Sequence, residues 1–335
     1  MTVLSGSSSM LLVGVAIDPV HAGAGRAPGI VDLPVQRDSL GYPLVYASSV
    51  KGALKALCIR SICGSGIDED SGVIKCSQCS VCCCLFGPEP GEGDKGPGAL
   101  AILDLVPLFI PTPSSEFGYL YLTTSVLLSR TTLILEVLGE NELANSLSKL
   151  ASEAERLGRS QLLVVGEEAK RGLKSNYVTI GTTPLEAKVL SEDVLRKINL
   201  SKLENLLREK LGGLAGRAMS RLVIASPQDG VSLIERSLIR VTRIALRRDR
   251  KVVKSGALWT EEYLPYGTIF ITGAVDTGFR NDYCVDSQDL ISKLKEVLKP
   301  RNGVFYVTIG GKETVGRGMI KFTIATEVKN RADSV

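Results

Sequence analysis

The loop HAGAGRAPGIVDLPVQRD, running from His21 to Asp38, holds the chain's one histidine, a carboxylate set between apolar neighbours, and an Arg37-Asp38 pair. It is too glycine-rich for a helix and too interrupted for a strand. Asp32 in such a place caps a turn or acts as a metal ligand or general base. His21 and Lys51, just downstream, are the groups that would stand beside it. A second chemistry-bearing stretch is RSLIRVTRIALRRDRKVVK. It carries Arg236, Arg240, Arg243, Arg247, Arg248, Arg250, Lys251 and Lys254, opposed within it by Asp249 alone. Like charges at this density repel unless a polyanion neutralises them, and guanidinium groups suit phosphate. A solvated hairpin gives the same pattern.

Glycines mark a third place. IGGKETVGRG offers Gly310, Gly311, Gly316 and Gly318 with Lys312 and Arg317 between two strand-like segments. Such a turn can point successive N–H groups at a phosphate, and so can the helix start SSVKG, with Ser49 and Lys51. A plain hairpin turn would need glycines equally. The fourth place is CSQCSVCCC, which gathers five of the eight cysteines. Cys76, Cys79 and Cys82 have zinc-ligand spacing, with Cys63, Cys84 or His21 open as the fourth ligand. Disulfides or idle thiols remain the competing reading.

Around these groups the periodicities lay out the scaffold. LLVGVAI reads as a buried central strand, and ASSVKGALKALCIRSIC as a helix with Ser48 and Ser49 as N-caps. ALAILDLVPLFI and GYLYLTTSVLL flank the turn-prone PTPSSEFG as a hairpin. Two amphipathic helical stretches fill much of the region from Gly139 to Ala225. Strands SLIRVTRIAL, RKVVKSGALW and GTIFITGAV follow, then the helix SQDLISKLKEVLK and the strands GVFYVTIGG and MIKFTI. This order suits an α+β ferredoxin-like unit with insertions better than a doubly wound parallel sheet. The expected division is 1–135 for the first part of the palm with a Cys-rich loop at 63–98, 136–225 for a mainly helical insert, and 226–335 for a hairpin at about 236–264 and the rest of the palm. Net charge is only +4, so any basic footprint is local. No apolar run is long enough to span a bilayer, and the first apolar segment lacks the flanks of a secretory signal, so a cytoplasmic location without membrane partners is expected.

The segments HAGAG, VDLPVQRD, GYPLVYASSVKGAL, LFG, GALWTEEYLP and IGGKETVGRG, in this order, resemble the RAMP superfamily of CRISPR proteins. More narrowly they resemble the repeated backbone subunit of the type III-B (Cmr) effector complex. The resemblance covers most of the chain and is weakest in the helical insert. It implies a modified ferredoxin-like (RRM-like) palm with a protruding β-hairpin thumb. Copies would stack along a CRISPR guide RNA beside other Cmr subunits and cleave guide-paired, single-stranded target RNA at six-nucleotide steps with a divalent metal, Mg or Mn. Asp32 matches the family's catalytic aspartate, with His21, Lys51 and one of Glu261 and Glu262 (Glu262 being preferred) beside it. RNA contacts fall on Ser49, Lys51, Arg37, Arg240, Arg243, Arg247, Arg248, Arg250, Lys254, Gly310, Gly311, Gly316 and Arg317. Related type III subunits carry a cysteine-bound zinc where Cys76, Cys79 and Cys82 stand. Two alternatives stay open: a non-catalytic RNA-binding scaffold, and a stand-alone repeat-processing ribonuclease for which His21 would matter.

Overall fold

A computed structural model describes residues 8–26, 29, 31–63, 75–88, 96–247, 249–284 and 289–328. Arg248 lies outside these residues. The first part of the chain forms β1 (Ser9–Ala16), α1 (Ala47–Cys58), α2 (Ser80–Phe86), β2 (Leu100–Ile102), β3 (Val106–Ser114) and β4 (Gly118–Thr124). Next come α3 (Ser125–Val137), α4 (Asn141–Glu155), β5 (Gln161–Val164), α5 (Glu167–Arg171), β6 (Tyr177–Ile180) and β7 (Thr183–Val189). Helices α6 (Glu192–Ile198) and α7 (Ser201–Leu206), strand β8 (Leu222–Ala225) and helix α8 (Gly230–Ser237) lead into β9 (Ile239–Leu246) and β10 (Val253–Tyr263). The chain then returns through β11 (Ile269–Asp276), α9 (Leu290–Leu298), β12 (Val304–Thr308) and β13 (Met319–Val328).

Strands β13, β1, β11 and β3 lie side by side, every neighbouring pair antiparallel. Helix α1 separates β1 from β3, and α9 separates β11 from the last two strands. This is the 4-1-3-2 order of a ferredoxin-like palm, with β12 added at one edge. On the other side the sheet continues through β4, β8, β5, β7 and β6. The segment read as mainly helical therefore also contributes strands. QLLV and LVIA are too short to show a strand period and gain that state by pairing, with each other and with β7 and β4 on their outer sides.

Strand β1 is buried along its whole length because both faces are covered. Alternation sends Met10 and Leu12 into one core with Val50 and Leu54 of α1 and Leu294 of α9. Leu11 and Val13 go into the other with Leu128 of α3 and Leu147 of α4. The expected serine caps on α1 are replaced. Its N-cap position is Tyr46, and Asp104 from the β2–β3 connection accepts a hydrogen bond from the Ala47 N–H at 2.7 Å. Ser48 and Ser49 lie inside the first turn.

β9 and β10 form a separate two-stranded ribbon. Its far part buries little: Ile244, Leu246, Val253 and Leu258 are all exposed. The register shifts between Val253 and Leu258, where β10 carries four residues against one on β9 and Gly256 has φ +71°. The cysteine region is tied by four bridges, Cys58–Cys82, Cys63–Cys79, Cys76–Cys83 and Cys84–Cys284. Cys76 therefore pairs with Cys83 rather than joining Cys79 and Cys82, because it sits in the turn before α2 while successive helical residues face about 100° apart.

Candidate nucleic-acid site

The base of the hairpin is where the glycine-rich loop docks. The Leu33 N–H donates to the Thr260 carbonyl and the Glu262 N–H to the Leu33 carbonyl, both at 3.0 Å, so the loop runs briefly as a parallel strand beside β10. Asp32 is clipped at this seam. Its Oδ2 accepts from the Thr260 N–H at 2.7 Å and from the Thr260 hydroxyl at 3.0 Å, while its own N–H donates to Thr260 Oγ1 at 2.9 Å. The Thr260 backbone bond, then its hydroxyl, hold the Asp32 carboxyl below the usual aspartate value. The group is thus ionised at neutral pH and reachable by solvent, which suits a charge anchor or cation ligand better than a base that must take up a proton.

Strand alternation splits the two successive acids of TEEY. Glu262, 1% exposed, turns toward the loop, accepting from Arg37 at 2.7 Å and from Arg240 at 3.1 Å. Both arginines also reach Glu235 at the end of α8. Glu261, equally buried, turns the other way and accepts from Trp259 at 2.7 Å, Lys312 at 2.9 Å, Arg243 at 3.3 Å and the Tyr263 hydroxyl. Burial alone would raise the Glu261 carboxyl. The bonds from Tyr263, Lys312 and Trp259 outweigh it and bring the value down to about 2.

His21 is buried under the same seam. Its Nδ1 lies 2.7 Å from the Glu262 carbonyl oxygen, its ring packs against Tyr263 at 5.3 Å, and its own carbonyl accepts from the Gly311 N–H at 2.9 Å. A side chain at Gly310, whose φ is +91°, would come within 2.2 Å of that carbonyl. Glycine is therefore needed there for close approach, and this presses the IGGKETVGRG loop onto the hairpin base. Arg317 lies over the Tyr263 ring at 5.5 Å, and its buried Nε has no partner among the described residues. Gly316 also has positive φ, 67°.

Helix α1 joins through Gln36. The Gln36 amide oxygen accepts from the Tyr46 N–H at 2.7 Å, and its amide nitrogen donates to Ser49 Oγ and the Gly23 carbonyl, each at 3.4 Å. Lys51 is half-buried, and burial followed by the nearby charge of Lys55 lowers its pKa. No hydrogen bond or ion pair joins Lys51 to Asp32 among the described residues. A groove of about 430 Å³ runs between α1 and β12, lined by Ser49, Gly52, Arg60, Tyr306 and Gly310. It links two of the places where sequence pointed to phosphate.

Loop, hairpin base and glycine turn thus converge, while the cysteines lie at the opposite end of α1, about 18 Å along a helix of that length. His21, engaged with Glu262, is not a ligand to those sulfurs. Arg37, Arg240 and Arg243 are held in ion pairs with the buried carboxylates of Glu262 and Glu261. Arg247 and Arg250 flank Asp249 on the surface, and Lys254 is exposed. Thr260, Glu235, Gln36 and Tyr263 were missed by sequence reasoning. The strand alternation in GALWTEEYLP was the available signal that Thr260 and Glu262 share one face and Glu261 and Tyr263 the other.

Among known families, the model of the RAMP superfamily matches residues 15–321. The chain is 27% identical over 328 residues to the CRISPR system Cmr endoribonuclease Cmr4 of Pyrococcus furiosus, covering 95% of this chain and 97% of that one. It is 27% identical over 324 residues to the CRISPR system CMR subunit Cmr4 of Saccharolobus solfataricus, covering 91% and 93%. In three dimensions it is similar to a chain of the type III-B Cmr-beta complex bound to cognate target RNA, with TM-score 0.70, 24% identity, and 95% and 97% coverage. Oligomeric Cmr4 from Pyrococcus furiosus gives TM-score 0.62 at 21% identity, with 96% and 100% coverage. These likenesses carry the modified ferredoxin-like fold with its hairpin. No helix of the described residues is long and apolar enough to cross a membrane.

Proposed function

The chain belongs to the RAMP superfamily, and from that premise we propose that it is a guide-RNA-binding backbone subunit of a cytoplasmic type III-B CRISPR ribonucleoprotein. It cleaves guide-paired target RNA at regular six-nucleotide steps, with Asp32 as the essential acidic group. Copies of itself and other Cmr subunits are its protein partners. The observation that carries this reading is the ionised, accessible Asp32 carboxylate fixed by Thr260 at the root of a cationic hairpin.

Cleavage of RNA can use the ribose 2′-hydroxyl as an internal nucleophile, so the protein's main task is alignment. The far part of the hairpin, with Arg247, Arg250 and Lys254, grips and bends the backbone. Arg248 belongs to the same reading by sequence alone. The glycine turn with Arg317, and Ser49 and Lys51 on α1, receive phosphates along the groove. The Lys51 ammonium offsets charge developing on the scissile phosphate. One carboxylate suits a divalent cation, Mg or Mn, whose remaining ligands are waters and RNA oxygens. Such a cation would supply acidity to the hydroxyl. Asp32 would be its protein ligand, because among the described residues its Oδ2 takes the Thr260 bonds and Oδ1 takes none. Glu262, His21, Arg37, Arg240 and Arg243 serve this site by holding its parts together.

The competing reading is a non-catalytic scaffold in which Asp32 merely clips loop to hairpin, and the Thr260 bonds favour it. The two separate in the assembled complex with guide RNA. Under the catalytic reading, Asp32→Asn lowers target cleavage about 10³-fold and leaves guide and target binding within twofold. Loss of binding together with cleavage makes the aspartate structural, and retained cleavage assigns the cutting elsewhere. The repeat-processing reading loses its support, since His21 is buried with Nδ1 on a backbone carbonyl.

A further inference from the structure

Three of the four bridges are local. Cys58–Cys82, Cys63–Cys79 and Cys76–Cys83 span 24, 16 and 7 residues within the segment from α1 to α2. The fourth is different in kind. Cys84, inside α2, meets Cys284, beyond the end of β11, across 200 residues of sequence, with the two Cα atoms 4.8 Å apart. That lies within the span a disulfide tolerates. Bonded there, Cys84 is not one of the Cys63, Cys79 and Cys82 sulfurs that lie within 4.8 Å of one another.

Contacts that owe nothing to sulfur hold this junction. Asn281, 6% exposed, donates from its amide to the carbonyls of Cys83 and Pro97, both at 3.0 Å, and to that of Cys84 at 3.4 Å. The Cys284 N–H donates to the Asn281 carbonyl at 2.9 Å, so the same turn places Cys284. The Ala99 N–H donates to the Cys84 carbonyl at 2.9 Å, and the Thr277 N–H and hydroxyl donate to the Ala99 carbonyl at 3.1 Å and 2.8 Å. Gly98 permits the close approach, since a side chain there would come within 2.6 Å of the Phe86 carbonyl carbon. Helix α2, the segment before β2 and the exit of β11 are therefore in register without help from an S–S bond. Two thiols held in this way meet at an effective concentration far above that of a free thiol. Asn281 Oδ1, 3.4 Å from Cys284 Sγ, is the acceptor for that thiol in the reduced state.

We propose that Cys84 and Cys284 are a dedicated redox pair, closed by exchange with a disulfide carrier such as oxidised glutathione, and that Cys284 is its entry thiol. Cys284 is partly exposed, whereas Cys84 is 2% exposed and out of a carrier's reach. The Cys284 thiolate attacks one carrier sulfur and expels the other, which leaves a mixed disulfide. The Cys84 thiolate then attacks Cys284 Sγ and expels the second carrier sulfur. The protein's two thiols lose two electrons and two protons, and the carrier's disulfide is reduced to two thiols. Closed, the bridge makes one covalent loop from α2 to the exit of β11, which contains the outer strands, the helical insert and the hairpin. It restricts the unfolded chain far more than the three local bridges do. The pair needs neither metal nor RNA.

The test uses the full chain, equilibrated with oxidised glutathione, alkylated, digested without reductant and mapped by mass spectrometry. The Cys84 peptide is found linked to the Cys284 peptide. This readout needs no variant to fold. Alkylated Cys84 and Cys284, or a link from Cys84 to another cysteine of its own loop, overturns the pairing. Reduced Cys84→Ser takes one glutathione on Cys284, while Cys284→Ser takes none on Cys84, and the reverse pattern overturns the order of attack. Asn281→Ala opens the bridge in about tenfold less reducing glutathione than wild type, and an unmoved midpoint removes the part given to the Asn281 clamp. The double variant Cys84→Ala with Cys284→Ala melts about 5 °C below wild type without reductant, and dithiothreitol abolishes the difference. A difference that dithiothreitol leaves intact belongs to packing and overturns the covalent role.

Discussion

The two ends of the basic hairpin are built from the same residue type and do opposite work. At its base, Arg37, Arg240 and Arg243 meet Glu235, Glu261 and Glu262, and the two glutamates on β10 are each 1% exposed. Toward its tip, Arg247, Arg250 and Lys254 face solvent, with Asp249 as the one nearby acid among the described residues. Buried ion pairs that lose one partner leave an uncompensated charge, whereas exposed cations lose almost nothing on truncation. An arginine run read as one polyanion footprint is therefore two devices: an anchor paired to buried carboxylates at the base, and an exposed cationic tip to which the proposed function assigns the grip on nucleic acid.

The sharpest break in this contrast is Glu262→Ala, which leaves Arg37 and Arg240 with Glu235 as their shared carboxylate. It lowers unfolding free energy in a denaturant titration by about 2 kcal/mol, while the triple Arg247, Arg250 and Lys254 to Ala variant stays within about 0.5 kcal/mol of wild type. Equal losses would end the distinction. RNA binding reverses the ranking. The triple variant makes log K against log salt shallower by about 2 for single-stranded RNA, measured by filter binding. Arg243→Lys, which keeps the charge at the base, leaves the slope unchanged.

Acid sharpens the picture next. The Glu261 carboxyl, ordinarily near 4.5, is brought to about 2 in the folded chain. Its contribution is complete above the unfolded value and is lost as pH falls through the folded one. Hydrogen exchange of hairpin-base amides should therefore accelerate between about pH 4.5 and pH 2 in wild type, and Glu261→Gln should be fast already at pH 5. The smallest effect is expected from Thr260→Val. Removing the hydroxyl releases part of the downward pull on Asp32, so the acid limb of the cleavage profile moves up in pH. Cleavage at neutral pH then falls about tenfold, through looser alignment. An unmoved acid limb would separate Thr260 from the chemistry.

Much of this molecule could be read along the chain. The central β1, helix α1, the β3–β4 hairpin, the thumb strands, α9 and the last strand carry their period in seven to twelve residues, long enough to be seen, and the five-residue β12 is marked by its aromatic and β-branched residues. GYLYLTT was followed too far, since SVLL opens α3 rather than ending the strand. Strands β5 and β8 were not legible, because four residues, three or all of them apolar, fit a helix equally well until a neighbour supplies hydrogen bonds. The α1 cap was misjudged for a related reason. Asp104, fifty-seven residues downstream, takes the role that a local serine was expected to fill.

The sequence by itself determined which residue types could act: one loop aspartate, a cationic strand pair, a glycine turn and a crowd of cysteines. Only the tertiary structure decided which of them are available. It placed Thr260 on Asp32, buried His21 and Glu262, divided the arginines between a paired base and an exposed tip, and joined Cys58 rather than Cys76 to Cys82. The reason is physical: side-chain chemistry is local, while availability depends on burial and on partners tens to hundreds of residues away. No spacing rule carries that information.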